Sequence, residues 1–140
     1  MRTIYLIGSL RNPEVPRVGV HLRQLGFDVF DDWFAGGEIA DDSWRDYERS
    51  RGRTYQQALE GYAAKHVYEF DLYHLNRCDI GVMILPCGKS GHLELGRMSS
   101  NKPTYVLMDD PERWDVMYQF ATAVAFDLTE LTTMLSKELT

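Results

Sequence analysis

The sequence contains little cysteine, no long apolar run and no excess of positive charge. Its two cysteines, Cys78 and Cys87, are too few for a disulfide scaffold in a chain of 140 residues and predict a reduced, intracellular setting. No apolar run approaches transmembrane length. The apolar start, residues 1–10, is interpreted as a first strand rather than a signal peptide. We therefore expect a cytoplasmic protein with no membrane partner.

Lysine and arginine number 15 against 21 aspartates and glutamates, which gives a net charge of -6. This balance argues against a nucleic-acid partner, although a few local donors could still hold a small anion. No pair of histidines has a metal-ligand spacing with a supporting carboxylate. Phosphate-binding P-loops and dinucleotide fingerprints are also missing. We expect no metal and no cofactor.

The hydrophobic pattern predicts strands that alternate with helices. Predicted strands cover residues 3–7, 27–30, 80–85, 104–108 and, briefly, 126–127. Predicted helices cover residues 15–25, 54–75 with a break near Gly61, 93–100, 116–125 and 128–139, and one more begins near Trp44. The pattern favours one domain, residues 1–140, with an α/β, doubly wound, flavodoxin-like fold and a mostly parallel sheet of about five strands.

The stretch 71–96 organises the rest of the chain. Its apolar centre, residues 80–85, is typical of a strand buried on both faces, and the short polar loop 87–92 follows. A helix is predicted from Leu93, with Glu94 in its first turn. This order places Glu94 beyond the carboxyl end of a strand, where open α/β sheets build their sites. The carboxylate could act as a nucleophile or base, or simply complement the helix dipole.

Two loops carry candidate ligand-binding residues. In the first, Gly8 allows close backbone approach, Ser9 offers a hydroxyl, and Arg11 can make paired bonds to a phosphate or carboxylate. The second contains Gly88 and Ser90, whose hydroxyl can contact a ligand or cap the following helix. The loops follow strands that are expected to be neighbours. An ordinary surface turn is the alternative for the first loop, and that loop alone favours it.

Three further residues have a structural alternative beside the functional one. Trp33, in the long segment 31–42, could stack on an aromatic base or pack back onto the core. Asp79, at the start of the central strand, could contact substrate, but a cap of loop amides is favoured. Asp71 could serve catalysis or lie on a solvated helix face. Cys87 is interpreted as a packing residue rather than a nucleophile.

Six motifs occur in order along nearly the whole chain: IYLIGSLRN, EFDLYHL, CDIGVMILP, SGHLELG, NKPTYVL and WDVM. In this order and spacing the chain resembles the nucleoside 2-deoxyribosyltransferase family, which includes related N-glycosidases of deoxynucleoside 5′-monophosphates. The resemblance implies that Glu94 attacks C1′ of the sugar, that Asp71 assists beside the sugar, and that Tyr5 positions the nucleophile. It also implies a homodimer or larger homo-oligomer, in which the segment with Asp115 and Met117 enters a neighbour's site.

The resemblance leaves the acceptor open. The loop PCGKSGH has no carboxylate, whereas the transferases place an acid there to address the base. Ser9, Arg11 and Ser90 resemble the set that holds the 5′-phosphate in the hydrolases, but Asp115 stands where the hydrolases have a neutral contact. The sequence therefore predicts an enzyme that cleaves the N-glycosidic bond of a small (deoxy)nucleoside or nucleotide through a glycosyl-Glu94 intermediate, with transfer to a base or to water. The alternatives are a 5′-monophosphate hydrolase without transferase activity and a non-catalytic nucleotide-binding or sensing module.

Overall fold

The computed structural model describes residues 1–139 and has an α/β architecture. Five parallel strands form one sheet in the order β2-β1-β3-β4-β5, with helices on its faces, which confirms the predicted fold class. The strands are β1 (Thr3–Ile7), β2 (Asp28–Phe30), β3 (Ile80–Ile84), β4 (Thr104–Leu107) and β5 (Ala123–Ala125). The helices are α1 (Glu14–Gln24), α2 (Ala40–Ser50), α3 (Tyr55–Leu59), α4 (Tyr62–Arg77), α5 (Lys89–Ser99) and α6 (Leu128–Leu135), and 3₁₀ turns cover Asp32–Gly36, Val116–Phe120 and Ser136–Glu138.

The order of the strands reverses at β1. Tyr5 of β1 is in register with Phe30 of β2 on one side and with Gly81 of β3 on the other. The chain therefore leaves β1 and β3 in loops that lie next to each other, as the sequence predicts. In doubly wound sheets such a switch point opens a crevice at the carboxyl ends of the strands.

Alternate residues of β1 divide the core into two layers. Ile4 and Leu6 belong to the layer that α1 and α6 cover, with residues such as Leu22 and Leu131. Tyr5 and Ile7 point to the other face. That second layer contains Leu75 from α4 and Leu95 and Met98 from α5. The two helices that carry Asp71 and Glu94 thus share one face of the sheet with the side chain of Tyr5.

The predicted helix over residues 116–125 is wrong. Its first half is the 3₁₀ turn Val116–Phe120, and its last residues form β5, which pairs with β4 and lies earlier than the predicted fifth strand. The main-chain N–H of Met108 donates to the carbonyl of Ala125, and that of Thr122 donates to Thr104. The hydrophobic pattern of such a short apolar run fits a helix and a strand equally well. Here pairing with β4 satisfies the backbone N–H and C=O groups, so the run forms a strand.

Other boundaries match or differ by a few residues. The break near Gly61 is confirmed, because α3 ends at Leu59 and α4 begins at Tyr62. The segment 31–42 is less irregular than expected, since it contains a 3₁₀ turn and the start of α2. Within residues 1–139, no helix is both long and apolar enough to span a membrane.

Candidate active site

Glu94 faces the sheet because of its place on α5. The helix buries Gly91, Leu95 and Met98, and Glu94 lies on the same side, one turn from Gly91 and Met98. A side chain at Gly91 would overlap the Sγ of Cys87 and lie 3.1 Å from Cγ2 of Ile7. Glycine therefore lets the first turns of α5 approach the ends of the strands closely enough for Glu94 to reach β1.

The helix begins earlier than the sequence indicates. The residue before its first turn is Gly88, so the predicted start at Leu93 is wrong and Glu94 lies in the second turn. Ser90 is an exposed residue of the first turn and does not cap the helix. The glycine and serine of this segment favour a loop by propensity, but packing of Gly91 against the strand ends carries the helix through them.

Tyr5 holds Glu94 by a direct hydrogen bond. The phenolic hydroxyl donates to Oε2 of Glu94 over 2.6 Å, and Tyr5 itself is 1% exposed. Its ring lies 5.2 Å from that of Phe30 between centroids, which fixes the direction of the hydroxyl. Within the described chain, the other oxygen of Glu94, Oε1, has no hydrogen-bond donor. One oxygen is thus oriented and the other is left for a ligand.

The electrostatics of the site favour protons on its acids. Burial is the main cause that raises the pKa of Glu94 to about 7; the hydrogen bond from Tyr5 acts against this rise, and the charge of Asp71 adds to it. Burial, and then the charge of Glu94, raise the pKa of Tyr5, so its hydroxyl remains a donor. Burial also raises the pKa of Asp71, a half-buried residue of α4. Asp71, Tyr5 and Glu94 therefore form one coupled group, which the sequence places together only through the resemblance.

The first loop lies beside this group and is well packed. A Cβ on Gly8 would lie 2.7 Å from Cγ2 of Val15 and 3.6 Å from the ring of Trp33. The indole N–H of Trp33 donates to the carbonyl of Leu6 over 2.8 Å, so the indole packs back onto the core, the alternative to base stacking. Ser9 accepts the main-chain N–H of Arg11 at its hydroxyl over 3.1 Å.

Cys87 is a half-buried thiol at the edge of the site. Burial and the charge of Glu94 raise its pKa to about 11, and N–H groups of Gly88 and Gly91 only partly offset this. A thiol of such pKa is a poor nucleophile at neutral pH. The packing interpretation of Cys87 therefore holds for this geometry.

Asp79 lies at the amino ends of the strands, so its predicted role as a substrate contact is wrong. It precedes β3, and its Oδ2 accepts the main-chain N–H of Thr3 over 2.9 Å. This is the cap of backbone amides that the sequence offers as the alternative. The amino ends of parallel strands are remote from the crevice at their carboxyl ends.

Asp115 and Met117 form no hydrogen bond with Tyr5, Asp71 or Glu94 within the described residues. The carboxylate of Asp115 accepts the N–H of Met117 over 2.8 Å, and the side chain of Met117 is exposed. A concave surface of about 610 Å³ is lined by Asp115 together with Trp114, Tyr118 and Phe126, and not by Glu94. These residues lie on the surface next to the crevice rather than inside it.

His92 is a residue of this region that the sequence reasoning missed. Its Nδ1 lies 2.8 Å from the carbonyl of Gly88, and its Nε2 lies 2.9 Å from the hydroxyl of Tyr118. The imidazole thus joins the start of α5 to the 3₁₀ turn Val116–Phe120. No local pattern signals a contact between residues 26 positions apart.

Residues 1–139 contain no group of His, Cys, Asp and Glu that could hold a metal ion.

The chain matches no protein-family model, and no curated protein is significantly similar to it. Membership of the nucleoside 2-deoxyribosyltransferase family therefore stays a prediction from the motifs. What the site can do chemically follows from the arrangement of Tyr5, Asp71 and Glu94 at the switch point of the sheet.

Proposed function

We propose that this protein cleaves the N-glycosidic bond of a (deoxy)nucleoside or nucleotide through a covalent glycosyl-Glu94 intermediate. The sugar then passes to another base or to water. The observation that carries the proposal is the 2.6 Å hydrogen bond from Tyr5 to Oε2 of Glu94. A carboxylate that is oriented through one oxygen, while the other oxygen accepts no hydrogen bond from the described residues, suits a nucleophile better than a dipole complement.

The chemistry needs two steps. In the first, Oε1 of ionised Glu94 forms a bond to C1′, while the electron pair of the C1′–N bond leaves with the base, which takes up a proton. In the second, water or another base attacks C1′ and the ester bond breaks, which returns the carboxylate; the proton that the attacking water or base gives up replaces the one taken up in the first step. Asp71 is the second acid beside the nucleophile, and its burial favours the protonated form. Tyr5 holds the same oxygen of Glu94 in both steps.

Hydrolysis of deoxynucleoside 5′-monophosphates is the second candidate, favoured by the surroundings of the first loop. The side chain of Arg11 is 69% exposed in the loop that follows the carboxyl end of β1, and the main-chain N–H of the same residue donates to the hydroxyl of Ser9. The start of α5, with Lys89 and the exposed Ser90, follows the neighbouring strand. A guanidinium, hydroxyls and the N–H groups of a helix start are suitable donors for a phosphate.

Exposed apolar side chains support a homodimer or larger assembly. Of the 16 residues of α4, only Leu75 is buried. Large side chains remain exposed along the rest of the helix, namely Tyr62, Val67, Tyr68, Phe70 and Tyr73. Apolar surface of this extent is typical of a face that another protein covers. A second copy would also give Asp115 and Met117 a route to a neighbour's site, and light scattering would test the assembly.

Product analysis tests the proposed function. The purified protein is incubated with each deoxynucleoside and each 5′-monophosphate, with and without a second free base, and products are separated by chromatography. A new nucleoside built on the added base indicates a transferase, whereas free base released only from monophosphates indicates the hydrolase. Nucleotide binding without turnover of any substrate would overturn the enzymatic proposal and favour a binding module.

A further inference from the structure

The phosphate-binding candidate Arg11 has an acidic neighbour on a different element. Its Nη2 lies 3.6 Å from Oδ2 of Asp42, in the first turn of α2. The two side chains are 69% and 46% exposed. Ion pairs of this exposure are weak, with typical energies up to about 1 kcal/mol. The pair can therefore open at little cost when a better anion arrives.

Asp42 keeps a partner when it releases Arg11. Its Oδ1 lies 3.4 Å from Nη1 of Arg45, and Nε of Arg45 also donates to Asp46 over 3.0 Å. Charges of alternating sign thus run from Arg11 to Asp46 along the surface. Because Asp42 would stay paired with Arg45, the exchange of Asp42 for a phosphate leaves no carboxylate without a cation.

Resting on the proposed function, we infer that Asp42 is a specificity-determining residue that competes with the 5′-phosphate of the substrate for Arg11. While Arg11 pairs with Asp42, part of its guanidinium is directed away from a substrate phosphate. A doubly charged phosphate also meets the negative field of Asp42. Asp42 therefore weakens the binding of monophosphates and leaves uncharged nucleosides unaffected, so the protein discriminates less strongly between the two than Arg11 alone would allow.

The test compares two substitutions that remove the same charge. Asp42→Asn removes the partner of Arg11, whereas Asp41→Asn removes a charge from the adjacent, exposed residue of the same helical turn. Both are made in full-length protein that carries Glu94→Gln, so that ligands are not consumed. Calorimetry measures the Kd of each of the four deoxynucleoside 5′-monophosphates and of each free deoxynucleoside. We expect Asp42→Asn to tighten monophosphate binding about two- to fivefold, with no change for nucleosides.

Each result decides between defined possibilities. Equal Kd values for Asp42→Asn and the parent overturn the inference. An equally large effect of Asp41→Asn also overturns it, because the change would then come from the general negative charge of this helix and not from the pair of Asp42 with Arg11. If Arg11→Ala weakens monophosphates while Asp42→Asn changes nothing, only the role of Asp42 fails. If neither the parent nor any variant binds monophosphates, the inference fails together with the phosphate site, while Glu94-dependent cleavage of nucleosides would still stand.

Discussion

The hydroxyl of Tyr5 donates a hydrogen bond of 2.6 Å to Oε2 of Glu94, and so joins the first strand to the helix that follows the third. The two residues are 89 positions apart in the sequence. Burial of the pair away from water raises the pKa of both groups. At neutral pH, Glu94 therefore exchanges between a protonated form and the carboxylate that a nucleophile requires.

Two substitutions should move the pKa of Glu94 in opposite directions. Tyr5→Phe removes a hydrogen bond that lowers it, so we expect the pKa to rise above about 7. Asp71→Asn removes a negative charge that raises it, so we expect a decrease. Titration of the Glu94 carboxyl by NMR measures both shifts without turnover, and the acid limb of kcat/KM should follow them. Shifts in the same direction would contradict the coupling of the three residues.

Glu94→Gln should abolish turnover and change the dependence of stability on pH. We expect a loss of about a thousandfold or more in kcat, because no neighbouring group can replace the carboxylate. Folding raises the pKa of Glu94 from 4.5 to about 7, so this residue does not lower the free energy of unfolding below about pH 4.5. As pH rises from there through about 7, ionisation favours the unfolded chain and the free energy of unfolding falls. Relative to the parent, Glu94→Gln should therefore gain stability over this range, on the order of 3 kcal/mol at pH 8.

Chemical denaturation at several pH values measures this gain. Glu69→Gln, on the exposed side of α4, is the matched control and should give the same pH profile as the parent. A constant stability difference between Glu94→Gln and the parent from pH 4 to 8 would refute the burial of an ionisable group at this position.

Arg11→Ala should separate the two candidate substrates. Loss of a charge-assisted contact to phosphate should lower kcat/KM for 5′-monophosphates about 10- to 100-fold, while nucleosides change less than about twofold. Arg17→Ala is the control, because Arg17 is an exposed arginine of α1 that pairs with Glu14 over 2.8 Å. Equal losses for both kinds of substrate would remove the phosphate site.

Gly91→Ala should destabilise the protein, whereas Gly96→Ala should not. A methyl group at Gly91 would overlap Sγ of Cys87, and overpacking of this kind typically costs about 1–3 kcal/mol. At Gly96, in the same helix, a Cβ has no heavy atom within 4 Å, so alanine should be neutral or stabilising by up to about 1 kcal/mol. Thermal unfolding measures both, and adding Cys87→Ala to Gly91→Ala should restore part of the loss.

Local patterns are sufficient where the physical signal is itself local. The run that forms β3 is apolar at almost every position, and the break at Gly61 divides two helices as predicted. The start of α5 is missed because residues 87–91 have a turn-like composition, and only the contact of Gly91 with β1 explains why residues 89–91 are helical. The same holds for β5, whose residues pair with β4 although their hydrophobic pattern also fits a helix.

The sequence by itself determines the alternation of strands and helices and places Glu94 in a segment after the central strand. Those properties depend on hydrophobic periodicity and on glycine and proline, which act over a few residues. Only the tertiary structure decides that Tyr5 donates a hydrogen bond to Glu94 and that Arg11 pairs with Asp42. It also decides that Asp79 accepts the main-chain N–H of Thr3 at the amino ends of the strands. Such contacts join residues on different elements, and their geometry depends on how close α5 and α2 approach the sheet, which side-chain volumes in the assembled core control.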